Sequence, residues 1–547
     1  MPTVIFNKYK LLKKLNIDES QLEDLLFKLK SESKLLDENN IEIEINADRL
    51  DLLISDGIKR AIDGLLERKL GEAKYDIINT NYELIVGKVR SRPYVLGAVI
   101  YDLKIDDEYL REIIQFQEKL HSTIGRKRKK VAIGLHDLDK IDGKTILYQE
   151  VPLEYKFIPL GYRSEMSVKE VLEATPQGRE YGSISLYEGK LPAILQQDGK
   201  VLSIPPVINS EKTRLDTSTR NLFIDVTGTS LEAVSQTLDI LVTNFAESGA
   251  KIGIIKVNSD YATVSPLLSR REITVEIPYI NKILGVNLTK EEVIRLLLRA
   301  RLYVENLGEN KIKVVVPPYR VDLLEEIDIV EEVAMMIGYD KLEPEKYQIS
   351  TKGEVLEINK LTNLLRDLAI GARFEEVFNF VLISSKYLEG EYVRILNPVS
   401  EEYNAVRNSL IPSILLFLKK NQYVRFPVRV FEIGDVVERD ETSETNYRNR
   451  RRMVLAIMNS KVSYEELQAD VHEILKNLGL NPEYVRYDDK IFINGRSAKI
   501  VSGNTIIGVI GEINPIVLEE YEISYPIVLC EIYLDKILQF INARSSY

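Results

Sequence analysis

The chain has 547 residues, more than one hydrophobic core supports, because single cores stop growing at roughly 250–300 residues, so several units are expected. Hydrophobic residues make up 45% and charged residues 29%, and no apolar run reaches the roughly 20 residues of a membrane span, which excludes a membrane-embedded protein. A net charge of −11 argues against a surface that wraps nucleic acid throughout, and the lone Cys530 excludes intramolecular disulfides and cysteine-cluster zinc sites.

The N-terminal MPTVIFNKYKLLKKLNIDES is basic but lacks an apolar core and a small-residue cleavage site, so it is not a secretory signal and a cytoplasmic location is expected. Residues 1–86 alternate charged helical patterns with short strand-like pieces, including IEIEIN followed by ADRLDLLISDGIKRAIDGLLERKLG. From 87 to 265 β signals are richer (YELIVGKV, YVLGAVIYDLKI, KVAIGL, LFIDVTG), with helices such as TSLEAVSQTLDILVTNFAESG between them, which predicts an α+β domain. Inside it, GRKRKK sets Arg126, Lys127, Arg128, Lys129 and Lys130 in a row before the strand-like VAIGL. A solvated basic turn and a contact with a phosphate backbone both fit that run. Only three histidines occur, His121, His136 and His472, which leaves little for a histidine metal centre.

Residues 269–345 read as a small unit: a strand EITVEI, a helix TKEEVIRLLLRARL whose Thr289 and Glu292 have capping-box spacing, a strand KIKVVV, a turn PPYR and a further helix. Residues 350–547 form a last α+β domain, alternating helices such as EINKLTNLLRDLAIGA with strands such as RVFEIGDVV, RRMVLAIMN and IIGVIGEI. Two distant segments echo each other. IEIEINADRLDLLISDGIKRAI and IKVVVPPYRVDLLEEIDIVEEVA share a β-rich run, Arg-x-Asp-Leu-Leu and a helix, so Arg49 and Asp51 correspond to Arg320 and Asp322. Duplication and a chance strand–turn–helix both remain open at this point.

The second copy carries extra acids. On a helix, Asp328, Glu331 and Glu332 stand at i, i+3 and i+4 and share a face, with Ile327, Val330, Val333, Ala334 and Ile337 expected opposite, and Asp322 precedes the first turn. Like charges at this spacing repel, and no cation follows on that face of the helix. An oxygen-only set suits a hard cation such as Mg²⁺, shared with another subunit; a solvated acidic face is the alternative.

PPYRVDLLEEIDIVEEVAMMIGYDKL resembles the B5 domain of phenylalanyl-tRNA synthetase β subunits, with its Arg-x-Asp and Asp-x-x-Glu-Glu pattern. QFQEKLHSTIGRKRKKVAIGLHDLDKI and PPVINSEKTRLDTSTRNLFIDVTGT resemble the B3/B4 domain of the archaeal and eukaryotic branch, and VRILNPVSEEYNAVRNSLIPSILLFL with FEIGDVV resembles the class II synthetase-like module. The resemblance implies an α+β multidomain chain: an N-terminal domain (1–86), a B3/B4-type editing domain (87–265), a B5-type domain (269–345) and a non-catalytic class II-like antiparallel sheet module (350–547). It implies an (αβ)₂ heterotetramer with a catalytic α subunit, which holds ATP and phenylalanine and charges tRNA(Phe). Asp322, Asp328, Glu331 and Glu332 would then hold Mg²⁺ at the subunit contact. Asn209, Ser210, Asp225 and Thr227 match the segments of an editing pocket that hydrolyses mischarged Tyr-tRNA(Phe), and the basic run at 126–130 becomes a candidate tRNA contact.

The last strands, TIIGVIGEINPIVLEEYEISYPIVLCEIYL, contain no arginine to clamp ATP phosphates, and Arg407 in AVRNSL is expected to be structural. No RNA-binding extension follows LDKILQFINARSSY, which fits the shorter archaeal pattern. The competing reading is a non-catalytic nucleic-acid-binding scaffold built on the two Arg-x-Asp-Leu-Leu units.

Overall fold

The echo around Arg49 and Arg320 belongs to a longer duplication. In the computed structural model, which describes residues 1–344, 346 and 350–545, the chain divides into two units, 1–346 and 347–547. The first unit begins with β1 (Thr3–Asn7), α1 (Lys8–Leu15), α2 (Glu19–Phe27), β2 (Glu32–Leu35), β3 (Asn40–Glu44) and α3 (Ser55–Leu65), with the strands in the antiparallel order β1-β3-β2.

Ten strands of a mixed sheet follow. They are β4 (Ile77–Val86), β5 (Tyr94–Tyr101), β6 (Val131–Asp137) and β7 (Thr145–Pro152), then, after the two-stranded ribbon β8 (Lys156–Phe157) and β9 (Met166–Ser167), β10 (Lys190–Gln196), β11 (Val201–Ile204), β12 (Ile208–Asn209), β13 (Leu222–Gly228), β14 (Lys251–Asn258) and β15 (Val264–Ser265). The sheet runs β12-β11-β10-β7-β4-β14-β5-β13-β6, with β15 on β14. Helices α4 (Asp107–Ser122) and α7 (Leu231–Glu247) cover one face, while α5 (Val168–Ala174) and α6 (Pro176–Ser185) lie between the ribbon and β10 in the chain. Strand alternation decides what faces what. Val131, Ile133 and Leu135 of β6 and Leu222, Ile224 and Val226 of β13 join the core that includes Val234, Leu238, Leu241 and Phe245 of α7. Gly134 and His136 of β6 and Asp225 and Thr227 of β13 therefore point away from those helices.

The second copy comes after the sheet: β16 (Arg271–Glu276), α8 (Ile277–Leu284), α9 (Lys290–Arg299), β17 (Tyr303–Asn306), β18 (Lys311–Val316) and α10 (Glu326–Ile337), with strand order β16-β18-β17. Element order and sheet order repeat those of the first copy. From the cap of α2 onward the copies keep a constant offset of 271 residues: Asp18 and Thr289 cap equivalent helices, Lys30 (φ 57°) and Arg301 (φ 65°) take equivalent left-handed turns, and Arg49 and Arg320 each chelate the aspartate two residues on. Thr289 and Glu292 form the expected capping box, each side chain accepting from the other residue's backbone N–H. One continuous core runs through both copies and the helix-covered face of the sheet.

The acidic helix departs from its expected pattern. Ile327 is 47% exposed, whereas Ile329, Val330, Val333, Ala334 and Met336 are buried, and so is Glu332. The buried stripe is rotated toward Glu332 because that carboxylate has a buried cationic partner.

The second unit holds a seven-stranded sheet. Val428–Arg439, Tyr447–Met458, Ile527–Tyr533, Thr505–Ile513, Phe492–Ser502 and Glu483–Arg486 pair antiparallel in that order, and Glu375–Glu376 adds in parallel at the first edge. Phe431, Ile433, Met453 and Leu455 pack on helices Glu357–Gly371, Tyr464–Asn477 and Leu534–Ser545. Val428, Val430, Val454 and Leu529 alternate to the other face, against Ile411–Lys420 and Pro515–Glu520. The fold is thus α+β with several separate sheets. Among the described residues no helix is long and apolar enough to cross a membrane.

Candidate functional site

A cavity of about 310 Å³ opens beside the edge strand β6 of the mixed sheet, between β11–β12, β13 and the α4 residues Ile114, Gln117 and Glu118. Asp225, 1% exposed, sits among its lining residues in the middle of β13. Its register partners on the two flanking strands are both glycines, Gly97 on β5 and Gly134 on β6. The spacing is forced: a Cβ at residue 134 would lie 2.0 Å from Asp225 Oδ2 and 2.8 Å from His136 Nε2. His136, two residues along β6 and so on the same face, places Nε2 2.8 Å from Asp225 Oδ2 and Nδ1 2.8 Å from Thr213 Oγ1. Nε2 hydrogen-bonds the carboxylate, and Nδ1 hydrogen-bonds the Thr213 hydroxyl. Both ring nitrogens are engaged, so His136 ties the Asp225 carboxylate to the Thr213 hydroxyl. Ser203 Oγ, 3.5 Å from Asp225 Oδ2, lies on the same wall.

Asn209 and Asp225 of the expected set line this cavity, and Ser210 and Thr227 are absent from its lining. Asn209 donates from Nδ2 to the Leu135 carbonyl at 3.2 Å. Ser210 is a turn residue: its hydroxyl donates to the Ile158 carbonyl and accepts from Lys212 N–H. Thr227 is fully buried, and its Oγ1 and carbonyl accept from Arg92 at 2.9 Å each. Burial in this apolar setting pulls the Arg92 guanidinium down to about 10. His136, Gly134, Ser203 and Thr213 were not singled out as partners of Asp225. The alternation in VAIGLHD, which puts Gly134 and His136 on one face, is the signal that pointed to two of them.

The basic run splits in two. Arg126, Lys127 and Lys129 are exposed, and Lys130 is half-buried. Arg128 turns inward: its Nη1 donates to the Pro206 and Val207 carbonyls at 3.1 and 3.2 Å, its Nη2 meets Glu118 at 2.7 Å, and the guanidinium lies 4.4 Å from the Tyr181 ring centre. It braces the cavity wall. Residues 126–128 all have positive φ, a strained turn that lets one cation point in while its neighbours point out. His121 is buried: Nε2 accepts from Ile133 N–H at 2.8 Å, Nδ1 faces Glu118 at 3.1 Å, and burial pushes its pKa down. It is a packing residue.

The four acids around α10 do not converge. Arg320, 3% exposed, binds Asp322 through Nε and Nη2 at 2.7–3.2 Å and Glu332 through Nη1 and Nη2 at 3.0 and 2.6 Å. Asp328 Oδ2 accepts the Leu324 and Glu325 amides at the start of the helix, at 2.7 and 2.8 Å. Glu331 is exposed, accepts the Tyr339 hydroxyl, and lies 3.7 Å from Lys30. Among the described residues no three His, Cys, Asp or Glu side chains come together as metal ligands. The cations that the helix face lacks come from Arg320 and Lys30, outside the helix. Two of the four carboxylates already have a full partner, so the set as it stands does not fit a magnesium cage within this chain.

In the second unit Arg407 is 2% exposed, with Nη1 2.7 Å from Glu432 and Nε donating to the Asp435 carbonyl at 3.0 Å. A Cβ at Gly434 would press on its Nη2 at 2.3 Å. A cavity of about 820 Å³ on this unit is lined by Tyr387, Tyr487, Tyr521, Tyr533 and several acids, with no arginine among the described lining residues.

Two family models match the chain: the tRNA synthetase B5 domain over residues 273–339 and the phenylalanyl tRNA synthetase beta chain CLM domain over residues 344–534. The phenylalanine–tRNA ligase β subunit of Sulfurisphaera tokodaii is 58% identical over 98% of this chain and 99% of its own length. That of Saccharolobus solfataricus is 58% identical over 100% of both chains. Among solved structures, an N-terminal fragment of the phenylalanyl-tRNA synthetase β subunit from Pyrococcus horikoshii matches with a TM-score of 0.60 and 35% identity, covering 62% of this chain and 100% of the fragment.

Proposed function

The chain belongs to the family of phenylalanine–tRNA ligase β subunits, a component of a ligase complex with an α subunit and tRNA as partners, and from that premise we propose that it also hydrolyses mischarged Tyr-tRNA(Phe) at the Asp225 cavity. The observation that carries this reading is the buried Asp225 carboxylate, walled by two glycines and steadied on Oδ2 by His136, inside a cavity of side-chain size. A tyrosyl ester brings a phenolic O–H where a phenylalanyl ester has only C–H. A site built to accept that hydrogen bond rejects the analogue that lacks it, because its buried acceptor is then left unpaired.

The chemistry asked of the site is ester hydrolysis. Water attacks the ester carbonyl carbon, the bond to the 3′-terminal ribose oxygen breaks, that oxygen takes up a proton, and tyrosine leaves as the free acid. Among the polar side chains on the cavity wall, Asn209 and Ser203, the latter next to Asp225, hold the substrate and the water in register. Thr213, the hydroxyl beside His136, is 1% exposed and absent from the cavity lining, so no covalent intermediate is invoked. Ser210 and Thr227 act one layer out, through the turn before the 211–213 segment and through Arg92. Arg126, Lys127 and Lys129 face the phosphate backbone of the bound tRNA.

In this proposal the α subunit binds ATP and phenylalanine and performs the adenylation, the complex is an (αβ)₂ heterotetramer, and it works in the cytoplasm. The locked Arg407 and the arginine-free lining of the large cavity in the second unit support a scaffolding role for that module. Magnesium belongs first with ATP phosphates. At Asp322, Asp328, Glu331 and Glu332 it is proposed only as a shared ion that takes most of its shell from water and the α subunit.

The deciding experiment is a deacylation assay on Tyr-tRNA(Phe) with the assembled complex and its Asp225→Ala variant. Hydrolysis that is lost in the variant, with phenylalanylation intact, is expected. Equal hydrolysis in both removes the cavity from the reaction.

A further inference from the structure

The two copies of the duplicated unit meet with equivalent positions opposed, and the charges at those positions do not match. Lys30, just past α2, lies 3.0 Å from Asp48 and 3.7 Å from Glu331 of the second copy. The residues at the same offset are Arg301, Tyr319 and Arg60. One half of the contact therefore sets a cation against two carboxylates, and the other sets a cation beside a phenol and a second cation.

Neither neighbour neutralises Arg301. Arg60 is spent on Asp51 at 3.1 Å and Glu247 at 3.5 Å, and its guanidinium stacks 3.6 Å from the Tyr319 ring centre. Tyr319 donates to the Arg301 backbone carbonyl, not to its side chain. Arg301 is 5% exposed, its Nε has no partner, and among the described residues no acceptor or carboxylate lies within hydrogen-bond or ion-pair distance of its guanidinium. It borders a small cavity together with Arg49, Arg60, Arg299 and Glu332. Glu332 is committed to Arg320, and Arg49 to Asp51. The space open to the centre of a water-sized sphere is about 10 Å³, room for one small body. Burying Nε of a guanidinium without an acceptor, in a cavity lined by further arginines, is unfavourable unless an acceptor enters with it, and a negative one suits the local charge best.

We propose that this cavity binds one small monovalent anion, such as chloride, against the Arg301 guanidinium, and that the ion fastens the second copy of the duplicated unit to the first. The space fits a single compact ion better than a phosphate, and water supplies an acceptor without charge.

Thermal unfolding of the full-length chain in sodium chloride, sodium bromide or sodium gluconate at equal ionic strength tests this. Replacing gluconate by chloride or bromide should raise Tm by about 2–4 °C. Arg301→Met should lose that increment and melt no lower than the unsubstituted chain in gluconate, whereas Lys30→Met should keep the increment. Crystals of the unsubstituted chain soaked in bromide should show an anomalous peak within hydrogen-bond distance of the Arg301 guanidinium, a readout independent of how any variant folds. An equal halide increment in Arg301→Met overturns the proposal. So does an unsubstituted chain with neither increment nor bromide peak, which would mean that water fills the space.

Discussion

Arg320 grips Glu332 with two nitrogens, at 3.0 and 2.6 Å, twelve residues away in sequence and with both groups buried. That pair separates the roles of two adjacent glutamates, Glu331 and Glu332. Glu332→Gln should destabilise the chain by about 2–4 kcal/mol in urea unfolding, because it leaves part of a buried guanidinium unpaired. Glu331→Gln, on the exposed side, should cost less than about 1 kcal/mol.

Magnesium gives the second prediction. The chain alone should show the same Tm with magnesium and after EDTA, since no carboxylate cage forms among the described residues. A shared ion would instead make assembly with the α subunit magnesium-dependent, and Glu331→Gln is the substitution that reports on it without opening the Arg320 pair. Assembly that ignores both magnesium and Glu331→Gln, measured by light scattering, would take the metal away from this helix.

Gly134→Ala drives a methyl group onto Asp225 Oδ2 and His136 Nε2. Displacing a reacting geometry by about an ångström costs about 100-fold, so Tyr-tRNA(Phe) hydrolysis should fall by about that factor with phenylalanylation unchanged. Hydrolysis within twofold of the unsubstituted complex would show that Asp225 is not where the ester binds.

The split of the basic run predicts different losses. Neutralising Arg126, Lys127 and Lys129 together should lower the slope of log K against log salt for tRNA binding by about 2 to 3, since each released counterion contributes about 0.7–0.9. Arg128→Ala should leave that slope nearly unchanged and loosen the wall formed by Pro206 and Val207. A slope that responds to Arg128 and not to the other three would reverse the assignment.

Glu112 is 8% exposed, and burial pushes its carboxyl up from 4.5 to about 6, beside Lys14, Asp56 and the Ser55 hydroxyl that donates to it. Below pH 4.5 both folded and unfolded chains hold the proton. Between 4.5 and 6 the unfolded chain releases it first, so stability falls as pH rises through that window and stays lower above it, by at most about 2 kcal/mol. Glu112→Gln should therefore stabilise the chain at pH 7 and not at pH 4, as read by urea midpoints. A gain of equal size at both pH values would show that titration is not its source.

Much of this was legible in one dimension. Arg49-x-Asp51 and Arg320-x-Asp322 announced the duplication because a guanidinium two residues from a carboxylate in a strand–turn–helix makes a local bond that needs nothing from elsewhere. The Thr289–Glu292 box was readable for the same reason. The pairing of Asp225 with Gly134 and His136, and of His136 with Thr213, was not, since these partners lie 91, 89 and 77 positions apart and meet only when β6 and β13 come into register.

Helical spacing placed Asp328, Glu331 and Glu332 on one side of one helix, and that much the sequence determined, because angular period is a property of the chain about its own axis. It carries no information about what docks on that side. Only the tertiary structure decided that Arg320 takes Glu332, that Lys30 of the first copy meets Glu331, and that Arg301 at the equivalent place shares a cavity with Arg60 instead. Those outcomes depend on distances between segments far apart in the chain, and such distances exist only once the core has closed.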